Sequence, residues 1–377
     1  GIEDCMTINS PGTYELVYDV ESTVTCFTIN SDNVTLDCQG HTINFSTAGA
    51  INTRGVYSSG TNTTVKNCNV ISGNWTTTNT GRYPIYFDNA DNGTLRDNFV
   101  NSSNAYGIII YSGSDYVNIT NNIVHTYDAS AIILIGSSYG RLADNTGYRY
   151  GDGSGIYLYG GANHNIVDNC TGTGTQSMPG IYLYKTINNT VRNSHGETNS
   201  TGNGIGILYT NDSMIVNSTA VSYSTALYVG YNSTNITIDR SNATSKDGYG
   251  IHLSTGNNTV SYSNAWTDTS SAIYIDAADN NTLTNNRGQS NSSYGIRIEG
   301  SSYNTLFNNN GTSEGDGSGI RLQFAAHHNN LTRNNGTVRG NGEGITIIQS
   351  AHNELYFNRG AGTSYYGFYI QDSDSDN

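Results

Sequence analysis

Several residue types and patterns are scarce in this 377-residue chain. Charged residues make up only 12%, and lysine occurs only at Lys66, Lys185 and Lys246. The formal net charge is −14 and no basic cluster occurs, which argues against nucleic acid or an anionic membrane surface as a partner. No run of about 18 apolar residues is present, so the sequence predicts no transmembrane segment.

Helical periodicity is also missing, and a different period dominates the chain. A small residue, an aliphatic, a variable residue and a second aliphatic recur at a nearly constant interval, beginning at Gly107, Ala131, Gly155, Gly180, Gly204, Ala226, Gly250, Ala272, Gly295, Gly319, Gly344 and Gly367. A second strand-like element recurs at the same spacing around aliphatic anchors such as Ile119 and Leu283. A fixed period of roughly two dozen residues predicts a stacked repeat architecture, and the two strand signals in each repeat predict an all-β solenoid.

The Gly-Ile-x-Leu element directs both aliphatic residues inward and the variable residue outward, because side chains alternate along a strand. We therefore expect Ile156 and Leu158 to stack on Ile181 and Leu183 as core ladders. Asparagines two residues past each anchor, such as Asn121, are expected at a corner, where stacked amides can hydrogen-bond to one another. The glycine before each strand suits a corner that needs a positive φ.

The run Leu36-Asp37-Cys38-Gln39-Gly40-His41-Thr42-Ile43, followed by repeated Asn-Asn-Thr-Val and Gly-Ile-Tyr-Leu elements, resembles the right-handed parallel β-helix repeat family. This family groups carbohydrate-binding proteins and sugar hydrolases and is common among archaeal and bacterial surface proteins. The resemblance implies a right-handed parallel β-helix, a fold that hosts lyases, epimerases, adhesins and structural proteins. We expect residues 1–30, which lack the period, to form an N-terminal cap, and residues 31–377 to form one continuous β-helix of roughly 13–14 rungs.

Four of the five cysteines lie near the start of the chain, and they allow three disulfide connectivities. We prefer Cys5–Cys26 with Cys38–Cys68, because Cys5 and Cys26 flank the segment that lacks the period, while Cys38 and Cys68 fall at similar points of successive repeats. Cys170 would then be free, buried or paired with another molecule.

The sequence favours an extracellular or cell-surface protein that carries N-linked glycans. The chain begins at Gly1 rather than Met, which is typical of a processed, exported protein, and its clustered cysteines fit disulfides. It contains 21 Asn-x-Ser/Thr triplets, although a chain rich in Asn and Thr also produces such triplets by chance. The predicted glycosylation sites are Asn33, Asn62, Asn74, Asn92, Asn118, Asn188, Asn199, Asn211, Asn232, Asn257, Asn280, Asn291, Asn310 and Asn330.

No catalytic arrangement is recognisable in the sequence. The acids are dispersed in turns; Asp144 and Asp168 are one repeat apart and would stack, but a solvated corner is the favoured interpretation. His328 and His352 are also one repeat apart, and a shared metal ion there is the less favoured alternative to ordinary turn residues. We therefore predict no catalytic residue, no metal site and no cofactor, and we do not expect an enzyme.

The outward positions of the Gly-Ile-x-Leu element predict a contact surface. Ile109, Ile133, Tyr157 and Tyr182 form a contiguous apolar stripe, which is typical of contact with protein or with sugar rings; a loop folded over the stripe is the alternative. The chain also ends without an amphipathic cap, which favours pairing with another chain. Our hypothesis is a structural protein that self-associates into a filament, sheath or surface lattice; the alternative is a carbohydrate-binding or polysaccharide-processing β-helix protein.

Overall fold

The computed structural model describes residues 1–73, 81–103 and 105–371. Within these ranges all regular structure is β-strand, and the strands form three parallel sheets that the chain visits in turn. The predicted all-β parallel β-helix is thus confirmed. It has about 15 coils rather than the expected 13–14, because the N-terminal segment also pairs as a coil. Contacts divide the chain into two compact units, Gly1–Gly196 and Glu197–Asn377, so the single continuous domain stays a prediction. No helix in the described ranges is long and apolar enough to cross a membrane.

In the first unit each coil adds one strand to each of the three sheets. The first sheet contains β1 (Thr7–Ile8), β4 (Phe27–Ile29), β7 (Arg54–Ser58), β10 (Tyr83–Asp88), β13 (Ile108–Tyr111), β16 (Ile132–Ile135), β19 (Ile156–Tyr159) and β22 (Ile181–Tyr184). The second sheet contains β2 (Gly12–Glu15), β5 (Val34–Asp37), β8 (Thr64–Lys66), β11 (Thr94–Arg96), β14 (Asn118–Thr120), β17 (Arg141–Ala143), β20 (Ile166–Asp168) and β23 (Thr190–Arg192). The third sheet contains β3 (Val20–Glu21), β6 (Thr42–Phe45), β9 (Asn69–Ser72), β12 (Phe99–Ser102), β15 (Ile123–Thr126), β18 (Thr146–Arg149) and β21 (Thr171–Gly174), and β24 (His195–Thr198) includes the boundary.

The second unit repeats this arrangement. Its first sheet contains β25 (Ile205–Leu208), β28 (Leu227–Gly230), β31 (Ile251–Leu253), β34 (Ile273–Asp276), β37 (Ile296–Glu299), β40 (Ile320–Gln323), β43 (Ile345–Ile348) and β46 (Phe368–Gln371). Its second sheet contains β26 (Met214–Val216), β29 (Thr237–Asp239), β32 (Thr259–Ser261), β35 (Thr282–Thr284), β38 (Thr305–Phe307), β41 (Asn330–Thr332) and β44 (Glu354–Tyr356). Its third sheet contains β27 (Thr219–Ser222), β30 (Asn242–Ser245), β33 (Asn264–Thr267), β36 (Arg287–Ser290), β39 (Asn310–Ser313), β42 (Asn335–Val338) and β45 (Arg359–Ala361).

Aliphatic ladders form the core of each coil, as predicted. Ile156 pairs with Ile181 and Leu158 with Leu183, and all four side chains are fully buried. Because most strands are short, the alternation of inward and outward side chains leaves only one or two inward core residues per strand. Complete burial of such an aliphatic side chain contributes about 1.5–3 kcal/mol, so the core is the sum of many small, similar contributions.

The glycine that precedes each first-sheet strand has a different role from the one predicted. The backbone φ of Gly155 is not positive, so no left-handed corner requires glycine there. A Cβ atom at this position would lie 2.5 Å from the carbonyl oxygen of Gly147 and closer still to the backbone nitrogen of Thr173. At Gly155 glycine is required because the start of the first sheet approaches the third sheet too closely for a side chain, whereas other coils accommodate the small methyl group of Ala131, Ala226 or Ala272 at this position.

Two adjacent asparagines have different roles at the corner. Asn121 adopts the predicted corner position with a φ of 54°, and its Nδ2 donates to a carboxylate oxygen of Asp97. The next residue, Asn122, is fully buried and carries the inner ladder: its Oδ1 accepts from both nitrogens of Asn98, and its Nδ2 donates to Oδ1 of Asn145. These buried amides satisfy backbone groups at the turn that no strand pairing reaches.

The N-terminal segment predicted as a cap is itself paired like a coil. Its strands β1, β2 and β3 pair in parallel with β4, β5 and β6, although its sequence lacks the period; its role as a cap stays a prediction. The structure contains both preferred disulfides, Cys5–Cys26 and Cys38–Cys68, with Cα separations of 4.6 and 4.7 Å. Cys170 is unpaired and buried, and burial raises the pKa of its thiol to about 11.

Candidate functional site

The predicted contact stripe does not lie exposed on the first unit. Ile109 and Ile133 are 2% and 1% exposed, and Tyr182 is 6% exposed; only Tyr157 of the four is half-buried. Along the ladder, Tyr86 pairs with Ile109 and Ile133 pairs with Tyr157. Because neighbouring coils are only about 4.8 Å apart, these larger rings flank the two isoleucines on both sides. The expected exposure was therefore wrong, and subunit contact at these residues stays an untested prediction.

Tyrosine rings dominate this outer surface of the first sheet. They stack between coils: the rings of Tyr157 and Tyr182 lie 4.9 Å apart and 10° from parallel, and those of Tyr83 and Tyr106 lie 6.4 Å apart. The Arg54 guanidinium lies 5.2 Å from the ring centre of Tyr86. We call this surface the tyrosine face; it comprises Tyr57, Tyr83, Tyr86, Tyr106, Tyr111, Tyr157, Tyr159, Tyr182 and Tyr184.

Three hydroxyl groups of the tyrosine face have a raised pKa and stay protonated: those of Tyr86, Tyr106 and Tyr157. Burial, with the nearby Asp88 carboxylate, raises the pKa of Tyr86 to about 12. Burial and neighbouring tyrosines also raise the pKa of Tyr106 and that of Tyr157. These three tyrosines therefore present neutral O–H groups that can donate hydrogen bonds over the whole physiological pH range.

A cleft opens between the tyrosine face and the turns that precede its strands. Its volume is about 640 Å³, and Tyr83, Tyr106 and Tyr157 form one wall. Turn residues form the other wall, including the exposed carboxylates of Asp128 and Asp152 and the side chains of Ser177 and Met178. We call it the tyrosine cleft. Its walls combine flat aromatic rings with hydrogen-bond acceptors, and the fold supplies both because turns of successive coils stack beside the sheet.

A buried arginine supports one of these turns. Arg149 Nη1 donates to the carbonyl oxygen of Gly153 at 2.8 Å, and the Arg149 side chain has no exposed surface. Its Nη2 lies 4.0 Å from Oδ1 of Asp152. Burial lowers the pKa of Arg149 to about 10, and its Nε and Nη2 have no hydrogen-bond partner within the residues that the structure describes. The buried Arg149 guanidinium thus supports the turn that carries Asp152 from the interior of the coil.

In the second unit the same surface of the first sheet carries ionisable groups to which sequence reasoning gave no role. The His252 ring lies 5.0 Å from the rings of both Tyr228 and Tyr274. Burial lowers the pKa of His252 to about 4, which leaves the imidazole neutral at pH 7. Tyr274 donates to Glu299 at 2.6 Å, and Arg297 forms an ion pair with Glu299. The sequence does contain a signal for these ionisable groups, because His, Tyr and Arg recur at one and the same position of successive repeats.

The acidic pair noted in the sequence does not stack as expected: Asp144 lies at a corner, whereas Asp168 ends β20 and pairs with Ala143. The two histidines both lie at corners. Asp168 pairs with Arg192 at 2.8 Å and Arg141 at 3.4 Å, and hydrogen bonding to Arg192 lowers the pKa of its carboxyl group. The rings of His328 and His352 stack face to face, 4.9 Å apart and 8° from parallel. Since imidazole lone pairs lie in the ring plane, two stacked rings point their nitrogens side by side rather than towards one ion. Within the described ranges no group of three or more metal-ligating side chains occurs.

Most predicted glycosylation sites lie on the surface. Asn211 and Asn330 are half-buried, and Asn74 lies outside the described residues. The exposed sites are Asn33, Asn62, Asn92, Asn118, Asn188, Asn199, Asn232, Asn257, Asn280, Asn291 and Asn310. Asn62 Nδ2, the atom that would carry a glycan, donates to Oδ1 of Asn33 on the preceding coil. Attachment of glycans to any of them stays a prediction.

Comparison with known families agrees with this architecture. Residues 54–220 match the family model described as right handed beta helix region, and residues 142–310 match that of the periplasmic copper-binding protein NosD. The first match agrees with the predicted resemblance to the right-handed parallel β-helix repeat family, and the parallel coils of the structure have that architecture. No curated protein sequence matches the chain.

Solved structures with a similar course of the chain share little sequence with it. The A-module of a mannuronan C-5 epimerase from Azotobacter vinelandii is 16% identical, with a TM-score of 0.40 over 96% of this chain and 90% of that chain. DFA-IIIase of Arthrobacter chlorophenolicus is 11% identical, with a TM-score of 0.44 over 80% and 84%. A tailspike protein of the Escherichia coli bacteriophage HK620 is 11% identical, with a TM-score of 0.41 over 93% and 71%. Similarity of this extent says nothing about activity.

Proposed function

We propose that the protein binds a saccharide in the tyrosine cleft of its first unit. The observation that carries the proposal is the composition of the two walls: three tyrosine rings face turn residues that include two exposed carboxylates. The cleft volume of about 640 Å³ falls within the range typical of small-molecule sites. A saccharide of two or three sugar residues is the ligand class that such walls fit.

The chemistry of a sugar ring matches each wall. One face of a pyranose ring consists of C–H groups, which pack on aromatic rings such as those of Tyr106 and Tyr157. Sugar hydroxyls donate hydrogen bonds, and the carboxylates of Asp128 and Asp152 are the acceptors that form the stronger, charge-assisted kind. The protonated tyrosine hydroxyls supply donors for the sugar oxygens.

This proposal takes up the carbohydrate-binding alternative that the sequence left open. It concerns binding, and no catalytic step is assigned to Asp128 or Asp152. We also propose that the protein acts outside the cell and carries N-linked glycans. Its two disulfides support that location, because disulfides persist in oxidising compartments, and its exposed sequons support the glycans.

A self-associating structural role is the second candidate. One observation favours it: the coil formed by β44, β45 and β46 exposes Phe357 to 86%, Ile370 to 51% and Tyr366 to 65%. Exposed apolar surface of this kind favours pairing with a second copy. Sedimentation of the wild type and of Phe357→Asp tests it: larger species that disappear in the variant would support the role, and monomers in both would exclude it.

Copper binding, the activity in the name of one matching family, does not fit the residues that the structure describes. Copper sites in proteins use His, Cys and Met side chains in convergent sets. The described ranges contain no group of three or more His, Cys, Asp and Glu that could hold a metal. The one free thiol, Cys170, is buried with a raised pKa, which disfavours the thiolate that a metal needs. We assign no copper-dependent function.

Calorimetric titration of the full chain with neutral and acidic hexose oligomers of four to six sugars tests saccharide binding. We expect saturable binding to at least one oligomer, a loss of at least tenfold in affinity in Tyr157→Ala, and near-normal affinity in Tyr157→Phe, which keeps the ring. Tyr139→Ala is the matched control, because Tyr139 is exposed at a corner outside the cleft. Absence of binding to all oligomers, or unchanged affinity in Tyr157→Ala, would overturn the proposal.

A further inference from the structure

A second groove lies on the third sheet of the second unit. Its volume is about 310 Å³, and its lining includes Asn242, Asn264, Trp266, Arg287 and Gln289. The ladder register places these side chains in two adjacent columns: Trp266 pairs with Gln289, and Asn264 pairs with Arg287. We call this site the tryptophan groove. It belongs to a different sheet and a different unit from the tyrosine cleft, so it stands independently of the function proposed above.

The tryptophan is open on one side because its neighbour is small. On the preceding coil Trp266 pairs with Thr244, whose side chain cannot cover an indole ring. Trp266 is half-buried, and its indole N–H makes no hydrogen bond within the described part of the chain. A large flat ring with a free donor at its edge is a platform for a ligand that has both an apolar face and hydrogen-bond acceptors.

The arginine beside it lacks the partner that similar arginines have. Arg287 donates from Nη2 to Oε1 of Gln289 at 3.0 Å, and no carboxylate of the described residues lies within 4.0 Å of its guanidinium nitrogens. By contrast, Arg339 forms an ion pair with Glu314 at 3.1 Å, and Gln289 Nε2 donates to the same carboxylate at 3.1 Å. Gln289 therefore orients Arg287 while its positive charge stays unpaired.

We propose that the tryptophan groove binds a hexuronic acid residue of an acidic saccharide. The sugar ring would pack on the indole of Trp266, and its carboxylate would accept hydrogen bonds from the Arg287 guanidinium, which matches a carboxylate in a two-pronged geometry. No acidic side chain lines the groove itself. The nearby Glu314 carboxylate, which accepts from Gln289, is paired with Arg339. The amide of Asn242, whose Oδ1 already accepts from Asn264, offers a further donor to the ring oxygens.

Tryptophan fluorescence provides a direct readout, because the chain contains only two tryptophans. The experiment uses the full chain with Trp75→Phe, so that Trp266 is the one emitter. Trigalacturonate is the probe, and galactotriose is its neutral counterpart. We expect a saturable change in Trp266 emission with trigalacturonate, at least tenfold weaker binding of galactotriose, and weakening of trigalacturonate binding by added salt.

Two arginine variants distinguish binding in the tryptophan groove from a general effect of the protein's charge. Arg287→Gln should weaken trigalacturonate binding at least tenfold. Arg333→Gln, which removes one charge from a corner beside the second sheet of the same unit, should leave that binding unchanged. Melting curves confirm that both variants are folded.

Several outcomes would overturn the proposal. They are equal binding of the two saccharides, equal loss of binding in both arginine variants, and no saturable change up to roughly 20 mM saccharide, a concentration beyond the weak end of specific affinities. Tyr157→Ala should leave this titration unchanged, so failure of the tyrosine cleft and failure of the tryptophan groove are distinguishable.

Discussion

Arg149 and Gly153 are joined by a 2.8 Å hydrogen bond in which a fully buried guanidinium donates to a backbone carbonyl oxygen. One coil earlier, Thr126 occupies the equivalent strand position and donates from Oγ1 to the carbonyl oxygen of Ala129. A charged side chain thus performs, beneath the tyrosine cleft, the turn-anchoring role that a hydroxyl performs on the neighbouring coil.

Replacement of Arg149 should destabilise the protein through this turn. We expect Arg149→Ala to lower the free energy of unfolding by about 2–4 kcal/mol, because it opens a cavity and leaves the Gly153 carbonyl without a donor. Arg149→Met, which fills most of the volume, should cost less. Urea unfolding measures both. Arg192→Ala, which removes an arginine at the surface, is the control and should cost much less than Arg149→Ala. An Arg149→Met variant as stable as the wild type would show that the hydrogen bond contributes nothing.

His252 should make stability depend on pH. Its pKa is about 4 in the folded chain and near 6.5 when unfolded, so between these values the unfolded state binds a proton that the folded state does not. The free energy of unfolding should therefore fall as the pH is lowered from 7 to 4, by about 3 kcal/mol from this residue. His252→Gln should lack this part of the pH dependence. Urea midpoints of both proteins at pH 7.5, 5.5 and 4.5 provide the test, and a constant difference between them would contradict it.

The two adjacent asparagines should respond differently to substitution. Asn122→Ala removes a buried amide that bonds to two other ladder asparagines, and we expect a loss of about 2–4 kcal/mol. Asn121→Gly should cost under about 1 kcal/mol, since glycine adopts the left-handed conformation without strain. Thermal and urea unfolding of the two variants compare them. Equal losses of stability in the two variants would show that the buried asparagine ladder contributes no more to stability than the corner asparagine.

The Cys38–Cys68 disulfide should stabilise the first unit measurably. Its sequence separation is 30, and closure of a loop of that size corresponds to roughly 3–4 kcal/mol. The double variant Cys38→Ser with Cys68→Ser should lose this amount in urea unfolding under oxidising conditions. Cys170→Ala, which removes the buried free thiol, is the control and should lose less. A double variant as stable as the oxidised wild type would contradict the prediction.

The coil pattern could be predicted because it depends on local alternation repeated at one period. Ile156 and Leu158 alternate with outward residues in a strand, and the near-constant repeat interval brings equivalent aliphatics into register. The preference for Cys38–Cys68 followed from the same register, whereas Cys5–Cys26 was preferred because these cysteines flank the segment that lacks the period. The role of Gly155 did not, because the distance between the first and third sheets within a coil is not encoded in the period.

The candidate sites could not be predicted from the sequence, because they depend on side-chain contacts that the repeat spacing does not determine. Ile109 and Ile133 have the outward positions that the sequence predicted, yet the rings of Tyr86 and Tyr157 flank them. Trp266 and Arg287 are not equivalent positions of successive repeats, so they fall in different columns and meet only across adjacent coils. Side-chain size on neighbouring coils decides such exposure.

By itself the sequence determined that the chain winds into parallel coils, because its aliphatic residues can be buried only when copies of one short strand stack on each other. The tertiary structure alone decided where a ligand could bind. Turns of unequal length must lie beside the sheets before a cleft exists, and the volume left between them depends on which rings and charges the adjoining coils place there.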